Sequence, residues 1–184
     1  VPVFVEASIE SDFKITANQL SAAITDKTKM MIYSSPCNPT GSIYGKAELE
    51  ALAKVIATKK DFYVIADEIY EHINFAGKHE SLAQFNEIYD QVITINGVSK
   101  GFAMTGWRLG YIGAPEWIAK ACDKIQGQFT SATCSITQRA VIEAMEMDPS
   151  ETYHMRDAFK ERRDYVIGRL QKMDGVLINL PEGA

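Results

Sequence analysis

The sequence predicts an α/β domain built on a mostly parallel sheet with helices on both faces. Three observations carry that reading. Short runs rich in apolar and β-branched residues alternate with longer segments of helical periodicity. The runs are apolar throughout, as in strands buried on both faces. Each run also ends in polar or turn-forming residues, where open parallel sheets hold their ligands.

In chain order, residues 1–5 (VPVFV) read as a short strand. Residues 29–34 (KMMIYS) form a second apolar run, ending in the turn cluster Pro36-Cys37-Asn38-Pro39-Thr40-Gly41. Residues 46–59 carry Leu49, Leu52, Ala53, Ile56 and Ala57 at helical spacing. Residues 63–66 (YVIA) are a buried-type strand running into Asp67-Glu68, and residues 92–95 are another, running into Gly97-Val98-Ser99-Lys100-Gly101. Residues 109–113 make a further strand. Pro115 then opens a helix with Trp117, Ile118, Ala121 and Ile125 on one face. A helix over 137–145 follows. Asp148-Pro149-Ser150 is the best domain boundary, and residues 151–172 form a long helix with Met155, Phe159, Val166 and Leu170 on one stripe. Residues 176–180 (VLINL) read as a last strand. With no initiator Met and strand-like runs at both ends, the sequence is expected to be the central piece of a longer protein.

Composition excludes several classes. Of 184 residues, 46% are hydrophobic and 23% charged, so the chain is a globular one and not a disordered tail. The net charge of −5, with no basic face, gives no electrostatic footprint for nucleic acid. No apolar run is long enough to span a membrane, and residues 1–6 lack the basic start of a signal peptide. Three widely spaced Cys (37, 122 and 134) suit neither a disulfide framework nor a zinc cluster; free thiols predict a cytoplasmic location.

The polar residues after the strands gather at one sheet edge: Asn38, then Asp67 and Tyr70, then Ser99 and Lys100. One chemistry for that set is amine catalysis. A Lys just past a buried strand can be desolvated, which frees its amine for imine formation. A nearby carboxylate could keep a pyridine ring cationic, Asn and Tyr could hold its phenolic oxygen, and Arg108 could fork a phosphate. A second reading is a serine hydrolase, because Gly97-Val98-Ser99-Lys100-Gly101 matches G-x-S-x-G, with His154 as the one His downstream. A third is a metal site on Asp67-Glu68-Ile69-Tyr70-Glu71-His72, which lacks paired-His spacing. Taken singly, each residue has a plainer role: Asn38-Pro39-Thr40-Gly41 as a turn, Asp67 as a cap, Tyr70 as a half-buried aromatic.

Asn38-Pro39-Thr40-Gly41, Asp67-Glu68-Ile69-Tyr70 and the run from Ser99 to Tyr111 (SKGFAMTGWRLGY), in this order, resemble the class I/II aminotransferases, pyridoxal-phosphate enzymes of fold type I. The run Met104-Thr105-Gly106-Trp107-Arg108 is most similar to the aspartate/prephenate branch. The resemblance implies a three-layer α/β/α domain with an incomplete, mostly parallel mixed sheet over residues 1–149. The strand over 109–113 would be its antiparallel member. A linker helix and the start of a small α+β domain would occupy 150–184. It implies pyridoxal 5'-phosphate as cofactor, an L-amino acid (aspartate-type favoured) and a 2-oxo acid as substrates, and a homodimer for the full-length protein. Lys100 would be the Schiff-base lysine and proton shuttle. Asp67 would pair with the pyridinium nitrogen, and Tyr70 and Asn38 would hold the phenolic oxygen. Ser99 and Arg108 would bind the phosphate. No metal is implied. Some members carry a phosphate-binding Ser where this chain has Gly97. The chain alone is expected to turn over little. A carbon–sulfur β-lyase and an aminotransferase-like sensor domain of a transcriptional regulator share the same blocks and stay open.

Overall fold

The computed structural model describes all residues 1–184. Its elements are α1 (Ala17–Ala23), β1 (Met30–Ser34), α2 (Lys46–Ile56), β2 (Tyr63–Asp67), β3 (Val92–Gly97), β4 (Gly110–Gly113), α3 (Glu116–Phe129), α4 (Ser135–Glu146) and α5 (Tyr153–Leu170). The sheet order is β1-β2-β3-β4. The first three strands are parallel and β4 is antiparallel to β3, pairing Asn96 with Tyr111 and Gly97 with Gly110. This is the mostly parallel mixed α/β sheet that the sequence predicts. The crossover from β1 to β2 uses α2; the one from β2 to β3 is a loop with short 3₁₀ turns.

Helix α2 shows how sequence becomes packing. Glu48 reaches back to accept from the Gly45 amide at 2.7 Å, closing the helix start. Leu49, Leu52, Ala53 and Ile56 then fall on one face and are fully buried with Phe62 and Val64. Each large side chain so buried contributes roughly 1.5–3 kcal/mol. The helix ends at Ile56, three residues short of the predicted 59, because the Thr58 and Lys59 amides reach back only three residues, to Val55 and Ile56. Gln91 donates to the carbonyls of Lys59 and Phe62, both at 2.6 Å, pinning this turn beside β3.

Two predicted strands are absent. Residues 1–5 find no pairing partner, and Val1, Val3 and Phe4 are exposed. Residues 176–180 are irregular; Asn179 donates to the Thr40 carbonyl and Gly183 makes a single bridge to Asn74. Apolar, branched residues are strands only where a neighbouring backbone completes their hydrogen bonds. The face predicted for the helix after Pro115 is also not buried: α3 has no buried residue, although Trp117 meets Tyr63 of β2 edge-on at 5.6 Å. No helix is long and apolar enough to cross a membrane.

Candidate active site

Loops at the carboxyl ends of β1, β2 and β3 bring Asn38, Tyr70, Ser99 and Lys100 to one cleft of about 550 Å³, closed on its far side by Met155, Phe159 and Arg162 of α5. The Asn38 amide donates to the Tyr70 hydroxyl at 2.9 Å. The Tyr70 proton is therefore free to point at an acceptor, as is the second amide N–H of Asn38. The Lys100 ammonium lies 5.6 Å from the centre of the Tyr70 ring, within cation–π reach. Lys100 and Arg162 both lack a side-chain ion-pair partner, and no Asp or Glu side chain lines the cleft. This set of donors and cations around an apolar wall fits a planar anionic ligand with a phenolic oxygen and a phosphate.

The loop bearing Lys100 is seated by packing. The His72 ring meets Phe102 edge-on at 5.3 Å, and a Cβ on Gly101 would stand 2.5 Å from His72 Cδ2. Only glycine lets the backbone beside Lys100 come so close to His72. His72 in turn faces the Glu71 carboxylate at 3.3 Å. Burial by itself pushes the Glu71 carboxyl up. The hydrogen bond and charge of His72, helped by His79 and Asn96, outweigh it and hold the group below the usual carboxylate range. Gly97 also has a steric reason: a Cβ there would meet the Leu109 carbonyl of the strand connection at 2.9 Å.

Not every predicted site residue reaches the cleft. Asp67 ends β2 half-buried, its Oδ1 accepting from the Ile69 amide at 3.1 Å, and is not part of the cleft lining. Arg108 is exposed with a left-handed backbone (φ 53°); its guanidinium donates to the Thr105 carbonyl at 2.8 Å and stays outside the lining. Lys100 is exposed, so the desolvation expected of a lysine behind a buried strand is missing. It sits three residues past the strand, on the loop that opens into the cleft.

The competing chemistries lack their geometry. Ser99 and His154 line the same cleft, yet His154 uses Nδ1 on the Glu151 carbonyl at 2.9 Å and makes no bond to Ser99. Ser99 also lacks the strained backbone of a nucleophile elbow. In the acidic segment after β2, His72 turns to Glu71 while Glu68 turns away to His79, so the ligand types do not converge. Arg162 is a cleft residue that sequence reasoning did not single out. Glu68 and His72 enter that reasoning only as metal ligands; the structure packs His72 on Phe102 and pairs Glu68 with His79 instead.

A family model described as aminotransferase class I and II matches residues 1–183. The bifunctional aspartate aminotransferase and glutamate/aspartate-prephenate aminotransferase of Petunia hybrida is 43% identical over 187 residues, covering 100% of this chain and 39% of that protein. The aspartate/prephenate aminotransferase of Cereibacter sphaeroides is 43% identical over 185 residues, covering 100% of this chain and 46% of that protein. Among solved structures, the aspartate aminotransferase from Rhizobium meliloti superposes with a TM-score of 0.96 at 36% identity, over 100% of this chain and 46% of that one. The chain thus spans less than half the length of these relatives.

Proposed function

This chain belongs to the class I and II aminotransferases, and from that membership we propose that its cleft is the cofactor-binding part of an aspartate-type transaminase. The observation that carries the reading is the Asn38–Tyr70–Lys100 group, a hydrogen-bonded pair of donors beside a cation free of any ion pair. Pyridoxal phosphate, the cofactor on which the family depends, supplies an electron sink for the bond broken at the substrate α-carbon.

The chain's own residues then divide the work. Lys100 Nζ would hold the cofactor and, as a free amine, would be the base placed to take the proton from the substrate α-carbon and give it back as an acid. Asp67 would keep the ring nitrogen protonated. Tyr70 and Asn38 would donate to the phenolic oxygen, and Ser99 and Arg108 would hold the phosphate. For Asp67 and Arg108 this needs a local adjustment, since both side chains now serve backbone groups. A cleft wall with Arg162 and without Asp or Glu side chains favours an acidic amino acid and a 2-oxo acid. Residues 1–149 would form the cofactor-binding unit and 150–184 the start of a second. Homodimerisation and a cytoplasmic location belong to the same proposal for the whole protein. This chain by itself turns over little, because Lys100 stands in water and a general base of this kind works in a water-poor site.

The test is a transamination assay of the full-length protein with aspartate and 2-oxoglutarate. Lys100→Ala is expected to abolish multiple turnover and Asp67→Ala to slow it by several orders of magnitude. Release of pyruvate and ammonia from cystathionine without amino transfer would favour a β-lyase. Cofactor binding with no turnover at all would favour a sensor domain.

A further inference from the structure

Side chains alternate along β2, so Val64, Ala66 and Glu68 face the α2 core while Asp67 faces the opposite side. Glu68 thereby carries a carboxylate into the edge of the core, with its side chain only 5% exposed. Its Oε1 accepts from the Ser81 hydroxyl at 2.6 Å, and its Oε2 lies 2.8 Å from His79 Nε2. Both partners come from the far end of the loop that begins with Tyr70. A buried carboxylate is costly unless fully paired, and an apolar side chain of similar size often stabilises as well or better. Here the surroundings are not fully paired, since His79 Nδ1 is buried without a partner. Stability is therefore a poor reason for this group.

Its connections suggest another. The Glu68 amide donates to the Ile95 carbonyl at 2.9 Å, keeping its backbone in the sheet. Its carbonyl accepts from the Glu71 amide at 2.9 Å, closing the turn in which Tyr70 is the third residue. The next hydrogen bond, from the Ile73 amide to the Tyr70 carbonyl, extends that restraint to the cleft wall. We propose that Glu68 is a positioning residue: clamped by His79 and Ser81, it fixes the turn that aims Tyr70 at Asn38 and Lys100 and holds Asp67 on the opposite face. This rests on the cofactor-contacting roles given above to Tyr70 and Asp67.

The experiment compares the protein with its Glu68→Gln and Ser81→Ala variants by amide hydrogen exchange and by absorbance titration with pyridoxal phosphate. In Glu68→Gln, the amides of residues 69–73 are expected to exchange faster while those of 64–66 keep their protection. Cofactor affinity is expected to fall by up to about 10-fold, the equivalent of one lost hydrogen bond. Ser81→Ala shifts both readouts the same way by less, and it decides alone if Glu68→Gln does not fold. Exchange that rises evenly over the strand and the turn would overturn the proposal, as would an unchanged turn with unchanged affinity. Failure of the unsubstituted protein to bind the cofactor would instead refute the functional reading, while the exchange data would still judge the clamp.

Discussion

The contact between Gly101 and His72 permits a test with a change of sign. Gly101→Ala puts a Cβ at 2.5 Å from His72 Cδ2 and 2.9 Å from both Cβ and Cγ of the same side chain. The imidazole cannot swing freely, being packed on Phe102 and facing Glu71. Overpacking of this kind costs about 1–3 kcal/mol. Against it stands a gain of about 0.4–1 kcal/mol, because alanine narrows the unfolded ensemble and Gly101 has no positive φ to forbid it. The net expectation is a loss of very roughly 0–2.5 kcal/mol in the His72 background. Replacing His72 by glycine removes all three nearest atoms. In that background Gly101→Ala should be neutral or stabilising by up to about 1 kcal/mol. Urea denaturation of the four proteins reads this double-mutant cycle directly. An equal loss in both backgrounds would refute the idea that His72 seats the lysine loop.

Two other outcomes follow from the structure. Leu52→Ala, at a side chain 1% exposed between α2 and the sheet, is expected to cost about 2–5 kcal/mol in the same denaturation assay. A loss under 1 kcal/mol would mean that the α2 face is not the core. Glu71 is held below its ordinary value of 4.5, so its share of stability is present above that value and is lost as pH falls through the lower folded one. Melting temperature should therefore drop on acidification below about pH 4.5, and Glu71→Gln should flatten that limb; an identical acid limb in the variant would contradict the pairing with His72.

The parallel strands were legible because each is a local run of apolar residues closed by turn residues. Tyr63–Asp67 and Val92–Gly97 extend the predicted runs by one and two residues, and Met30–Ser34 starts one residue later. The loops after them were legible as a site for the same reason, and three of those residues, Tyr70, Ser99 and Lys100, do line one cleft with Asn38. What failed depended on which partners meet in space, near or far in sequence. Residues 176–180 have the same composition as a buried strand but join no sheet; the Asn179 side chain instead meets the Thr40 carbonyl, 139 residues away. Helix α1 is only seven residues long, too short for its periodicity to stand out, and is fixed by the reciprocal cap of Thr16 and Gln19. The aim of Asp67 and Arg108 was not legible either, since each side chain is turned by a backbone group two or three residues away. Glu68 reads in sequence as one more acid in a polar segment. Only the strand's alternation, followed into the third dimension, reveals it as buried.

The central claim is that Lys100 is the amine around which this cleft is built. Borohydride reduction of the protein with pyridoxal phosphate, followed by peptide mass mapping, tests it most directly. One dominant pyridoxyl adduct is expected, on Lys100, and it is lost in Lys100→Ala. Labelling spread evenly over surface lysines such as Lys120 and Lys78, with Lys100 no more reactive than they are, would contradict it.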